Sequence, residues 1–239
     1  MPINTAVILA AGVGSRLKNI FSDKPKGFLP IGGTTLVERS IKLLKESGIS
    51  KIYIVTGHLS HFYQSLESDT ITCLKNSDYK NTGSFRSLLI ATKNIKENIL
   101  ILESDLLYER KALTLLINHK KENVILASSK TNSGDEVFLE VDENCNLVNI
   151  SKNREIIKSI YAEFVGISKI TNDTLISLYD WSKKNKKKSK NFHYENAFSQ
   201  INDLKKIYVQ KVESLIWSEI DNEKHYKNVI KEILPKIEI

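Results

Sequence analysis

LAAGVGSRL, residues 9–17, grows out of the apolar run TAVIL at 5–9, and its reading decides the fold. A short β-branched, aliphatic run that ends in Gly12 and Gly14 reads as a strand turning over the carboxyl edge of a parallel sheet, where such sheets meet their ligands. Glycines there let the backbone approach closely and point its amides inward. Such a nest favours phosphate, and Arg16 adds a two-pronged donor for an anion. The loop predicts a polyphosphate site.

Two common glycine signatures do not fit. Position 17 is Leu17, so the third glycine of the dinucleotide pattern GxGxxG is missing. The second apolar strand runs into Thr56, Gly57 and His58 without an acid for a ribose. Nor does GKS or GKT follow Gly12 at P-loop spacing. Beyond Arg16, DKPKGFLPIGG (23–33) is an extended segment stiffened by Pro25 and Pro30, from which Lys26, ten residues after Arg16, projects a second cation toward the same loop.

Working outward, strands over 5–9, 51–56, 71–74, 98–102 and 123–127 alternate with helices over 35–47, 61–67, 84–94 and 111–119. That rhythm predicts a parallel sheet with helices on both faces. Past residue 128, strand-like runs at 137–141, 147–150 and 162–167 follow one another without helices, which predicts an antiparallel appendage. Helices over 173–184 and 194–202, strands over 206–212 and 215–220, and a closing helix over 222–233 return the chain to the sheet. The expected architecture is three-layer, α/β and Rossmann-like.

At 239 residues, with 41% hydrophobic and 26% charged, the chain has the size of one ordinary enzyme domain and enough apolar content for a core, which excludes a disordered protein. Its net charge is +7, yet Lys183, Lys184, Lys186, Lys187, Lys188 and Lys190 carry six positive charges in eight residues. The remainder is close to neutral, so no nucleic-acid partner is expected, and the run reads as a solvated helix end and loop. Cys73 and Cys145 have no disulfide-scaffold or metal spacing, which fits a reducing compartment. The start MPINTAVILAAG lacks the basic region of a signal peptide and no apolar run approaches the ~20 residues of a membrane span. A cytoplasmic protein without membrane insertion is expected, and no oligomeric state is assigned.

The apolar run 98–102 ends in Glu103, Ser104 and Asp105, which stands Asp105 at the carboxyl edge beside the first loop. Asp221 closes LIWSEID behind Trp217 and Ile220. Magnesium takes oxygen ligands, few of them from protein, so these two aspartates predict a Mg2+ site. Read instead as helix N-caps, they would serve the helices at 111–119 and 222–233. Glu103 and Asp105 also form an ExD of the kind a metal-dependent glycosyltransferase would use, against which the LAAGVGSRL and PKG pair argues. His58 and His225 read as satisfied or solvated.

LAAGVGSRL followed by PKG resembles the signature of the nucleotidyltransferase superfamily of sugar-1-phosphate nucleotidyltransferases and cytidylyltransferases. NTGSFRSL (81–88), LESDLLYE (102–109), SGDEVFLE (133–140), ISKNR (150–154), EFVGISKI (163–170), HYENAF (193–198) and WSEIDNEKH (217–225) then resemble, in that order, 2-aminoethylphosphonate cytidylyltransferases. Phosphocholine cytidylyltransferases share the first loop, PK and the acidic strand end but match the later motifs less closely.

The resemblance implies a magnesium-dependent enzyme joining CTP to 2-aminoethylphosphonate within one domain over 1–239, nucleotide-binding over 1–128 and acceptor-binding over 129–239. It implies catalytic roles for Arg16, Lys26, Asp105 and Asp221, the two aspartates holding the metal. Nucleotide contacts are implied at Leu9, Ala10, Ala11, Gly12, Gly14, Ser15, Arg16 and Lys26, and at Gly57, Asn81, Gly83, Ser84, Ser104 and Asp105. The stretch 81–84 reads equally as a turn and N-cap. Lys152 aligns with a lysine that contacts the acceptor phosphate, and Asp135, Glu163 and Glu195 are candidates for an ammonium. A methylated amine would instead want an aromatic cage, for which Trp217, Tyr161 and Tyr194 are available; Trp217 reads also as core.

Overall fold

The central strands TAVILA and ILILE are buried along almost their whole length, and their alternation feeds two cores at once. Val7, Leu9, Ile99 and Ile101 join one apolar cluster, and Ala6, Ile8, Leu100 and Leu102 join another. Period-two side chains on strands covered from both faces produce this arrangement. The computed structural model describes residues 3–17, 23–93 and 95–237. Strands β1 (Thr5–Ala10), β2 (Lys51–Thr56), β3 (Ile71–Lys75), β4 (Ile99–Glu103), β5 (Val124–Ser128), β6 (Phe138–Val141), β7 (Leu147–Ser151), β8 (Ala162–Ile170) and β9 (Tyr208–Lys211) form one sheet.

Its body runs β3-β2-β1-β4-β8-β5-β9. All of these strands run the same way except β8, which lies antiparallel between β4 and β5. The mainly parallel α/β sheet is therefore as expected, with one correction: the run beginning at 162 extends to Ile170 and sits inside the sheet. Among the described residues the β6–β7 hairpin alone forms the appendage, pairing with the first residues of β8 where β4 has ended. Within β8, Gly166 takes φ of +85°, and a Cβ there would lie 2.9 Å from Leu106 and 3.3 Å from the Glu103 carboxylate. The glycine lets the strand pass the acidic end of β4.

Helices cover both faces. Leu36–Glu46 begins in a capping box, Glu38 N–H donating to Thr35 Oγ1 at 3.3 Å and Thr35 N–H to Glu38 Oε2 at 3.0 Å, and buries Val37, Ile41 and Leu44. Ser84–Thr92 buries Phe85, Leu88 and Ala91 on the other face. Burying a large apolar side chain of this kind contributes ~1.5–3 kcal/mol. Asn94, expected as the end of that helix, lies outside the described residues. Among the described residues no helix is long and apolar enough to cross a membrane.

Two short ribbon strands position acids. Leu106–Tyr108 pairs antiparallel with Trp217–Glu219, matching Trp217 to Tyr108 and Glu219 to Leu106. Ile220 N–H then donates to the Asp105 carbonyl at 3.0 Å. Asp105 and Asp221, far apart in sequence, thus arrive at the same end of one ribbon.

Candidate active site

The carboxyl ends of β1, β2, β3 and β4 open on one side, and the chain leaving them walls a cavity of about 310 Å3. Leu9 to Gly12, Gly14 and Arg16 form one side with Lys26; Asn76, Tyr79, Thr82, Gly83 and Ser84 form a second. Glu103, Ser104, Asp105, Glu219 and Asp221 make the floor, and Lys152 with Tyr194 and Glu195 closes the far end.

Lys26 is the centre of the charge arrangement. Its ammonium donates to Asp105 Oδ2 at 2.8 Å and to Asp221 Oδ1 at 2.6 Å. Arg16 donates to the same Asp221 oxygen at 2.7 Å and to Asp135 Oδ2 at 2.8 Å, and Lys152 reaches Asp135 Oδ1 at 2.9 Å. Burial opposes the Lys26 charge, but the two aspartates outweigh it and hold the lysine far above its ordinary value. Burial would likewise raise Asp221, yet Lys26 holds it below the usual carboxylate range. Neither aspartate acts as a helix cap: Asn222 caps Glu223–Asn228, and Lys111–Ile117 begins at Arg110 without a side-chain cap.

Glu103 and Glu219 join the site without having been expected there as a pair. Carboxylate oxygens of Glu103, Asp105 and Glu219 lie within 4.8 Å of one another. Burial first, then Glu195 and Asp105, pushes Glu103 up to about 8; burial and the Asp105 charge push Glu219 well above its ordinary value. Crowded hard oxygen donors of this kind suit magnesium. Asp221 adds to the fit, because its Oδ2 is buried with no hydrogen-bond partner while its Oδ1 is held by two cations. The signal that points to them is period two: Glu103 with Asp105, and Glu219 with Asp221, are each two apart at a strand end.

These crowded, half-buried acids make stability pH-dependent. Glu103 titrates near 8 in the fold and near 4.3 unfolded. Between those values the folded state binds more protons, so stability falls as pH rises, by an amount on the order of a few kcal/mol. Melting in EDTA is expected to drop steadily from pH 5 to pH 8, and Glu103→Gln to flatten that slope. A profile identical to the parent's in Glu103→Gln would contradict the assignment.

Other expected residues fall differently. Gly57 does not line the cavity; it lies against the first loop, where a Cβ would come within 2.6 Å of the Ala11 carbonyl and 2.7 Å of the Tyr79 ring. Asn81 also stands off the lining and donates to Asp78 Oδ1 at 2.8 Å. Ser84 lines the cavity without capping its helix, its Oγ accepting from Tyr194 N–H at 3.0 Å. Glu163 is buried away from the cavity, accepting from Thr131 N–H at 2.5 Å and Oγ1 at 2.9 Å, so its carboxylate serves the loop that carries Asp135. Trp217 is core, its indole N–H donating to Ser128 Oγ at 2.9 Å. Glu163 and Trp217 are thereby absent from the cavity lining, whereas Lys152 and Glu195 belong to it. Asp135 stands behind the lining and pairs with Arg16 and Lys152.

Residues 6–158 match the MobA-like NTP transferase domain. The choline-phosphate cytidylyltransferase of Haemophilus influenzae is 24% identical over 234 residues, 98% of this chain and 99% of that one. The CMP-5'-(3-aminopropyl)phosphonate synthase of Streptomyces rubellomurinus is 29% identical over 128 residues, 52% of this chain and 20% of that one. Among solved structures, the inositol-1-phosphate CTP transferase of T. maritima aligns with a TM-score of 0.83 at 19% identity, covering 99% of this chain and 96% of that one, a likeness of fold.

Proposed function

We propose that this chain, which belongs to the MobA-like NTP transferase family, is a cytidylyltransferase that joins CTP to 2-aminoethylphosphonate and releases pyrophosphate. The observation that carries the reading is a single cavity with Arg16, Lys26 and Lys152 on its walls and Glu103, Glu195 and Glu219 facing them. Cations suit the triphosphate and the phosphonate; carboxylates, of which Glu195 is buried beside Lys152, suit an ammonium. Of Trp217, Tyr161 and Tyr194, only Tyr194 lines the cavity beside Lys152 and Glu195, while the other lining tyrosines, Tyr63 and Tyr79, stand against Gly27 and Gly57; one ring at the Lys152 end favours a primary amine over a caged methylated one. Cytidylyltransferases among the relatives support CTP as the donor.

In this reaction an ionised phosphonate oxygen attacks the α-phosphorus in line. The new O–P bond forms as the bond to the β-phosphate oxygen breaks, and pyrophosphate leaves with the electron pair. The nucleophile is already anionic, so no general base is needed. Lys26, kept charged by its aspartates, and Arg16 neutralise charge developing on the α-phosphate and leaving group, while Lys152 fixes the acceptor. Asp105 and Asp221, with Glu219 beside them, would hold a magnesium ion, which supplies further neutralisation of phosphate oxygens.

Pyrophosphate release with magnesium and CTP across 2-aminoethylphosphonate, phosphocholine, phosphoethanolamine and glucose 1-phosphate tests the reading. A preference of at least about tenfold in kcat/KM for 2-aminoethylphosphonate is expected, since matched buried polar groups discriminate at this level or above. Preference for phosphocholine would overturn the acceptor, and silence with all four would overturn the chemistry.

A further inference from the structure

The six lysines of the 183–190 run are all exposed, and none forms an ion pair among the described residues. The segment is not a loose solvated end. Lys183 stands 4.3 Å over the Tyr179 ring, and Lys188 stands 5.8 Å and 5.6 Å from the rings of Trp181 and Phe192 while donating to Gln200 Oε1 at 2.8 Å. Gly83, on the cavity wall, donates its N–H to the Lys190 carbonyl at 3.0 Å, and Phe85 N–H donates to the Phe192 carbonyl at 3.1 Å. A Cβ on Gly83 would sit 2.0 Å from that same Phe192 oxygen, so the two segments touch backbone to backbone. Immediately beyond the run, His193, Tyr194 and Glu195 enter the cavity lining.

Most of the chain's net charge thus stands on a segment whose Lys190 end is tied by its backbone to the cavity wall at Gly83. We propose that the lysine run is an electrostatic collector for the nucleoside triphosphate, drawing it to the cavity mouth and raising its association rate. This rests on the cavity being a nucleotide site, as argued above. Exposed charges act over about a Debye length, ~10 Å at 0.1 M salt, and steering of this kind raises association rates by ~10-fold or more at low salt. The collector reads charge and leaves base choice to the cavity.

The test is stopped-flow binding of fluorescent CTP and ATP analogues, with magnesium, to the parent chain and to a variant carrying Lys183, Lys184, Lys186, Lys187, Lys188 and Lys190→Gln. At about 20 mM salt the association rate is expected to fall about five- to tenfold, with dissociation changed less than about twofold and the two proteins converging near 0.5 M salt. The all-arginine variant, which keeps the charge, restores the rate. Equal association rates and salt slopes in parent and glutamine variant would overturn the proposal. A loss that persists at high salt, or that arginine does not restore, would also overturn it, marking the lysines as structural. Absence of triphosphate binding to the parent would sink the nucleotide reading together with it, whereas normal binding unaffected by the lysines sinks this proposal alone.

Discussion

Asp105→Asn is expected to lower turnover by at least about 10³-fold while leaving the fold no less stable in EDTA. Asp105 is where three demands meet: its Oδ2 accepts from Lys26 at 2.8 Å, it belongs to the Glu103, Asp105 and Glu219 cluster, and its charge raises both of those neighbours. Asparagine preserves shape and removes a charge. Loss of one preorganised electrostatic group costs ~10²–10³ in rate, and this one would bear on the cation and the metal together. The like-charge crowding relaxes at the same time, so melting above pH 7 holds or rises. Active sites store instability of this kind. Steady-state turnover beside a thermal melt separates the outcomes: full activity refutes the role of Asp105, and unfolding refutes the stability argument.

Lys26→Met carries the second large effect, and it runs the other way in stability. Lys26 is half-buried between Asp105 and Asp221, the latter only 2% exposed. Removing it leaves two carboxylates facing each other without the shared ammonium. Stranding a buried charge costs ~3–5 kcal/mol. Turnover is expected to fall about 10³-fold, and melting in EDTA to fall by several degrees. The sign follows from Asp221: its carboxylate, held low by Lys26 in the parent, would titrate higher in the variant, so the deficit shrinks as pH is lowered. A variant as stable as the parent at pH 8 would contradict this account of the site.

Much of the arrangement is legible in the sequence, for physical reasons that particular residues make plain. The near-continuous apolar runs in 5–10 and 99–103 identify strands covered on both faces, and Gly12, Gly14 and Arg16 at the end of such a strand mark an anion loop. Asp105 and Asp221 stand out as acids terminating apolar runs. Strand neighbours do not: Ala162–Ile170 is buried throughout, and nothing local distinguishes a strand on an appendage from one inserted between β4 and β5. Glu163 and Trp217 mislead for a related reason. Their partners, Thr131 and Ser128, lie 32 and 89 residues away, and no periodicity announces so distant a hydrogen bond. Glu219 is the opposite case, a residue that strand period alone is enough to suggest.

The most direct test of the central claim is 31P NMR of the parent chain incubated with CTP, magnesium and 2-aminoethylphosphonate. The expected result is loss of the free phosphonate signal, a pair of mutually coupled resonances from a new phosphonate–phosphate linkage, and pyrophosphate in equal amount. CTP left intact, or consumed to inorganic phosphate without a coupled pair, would contradict it.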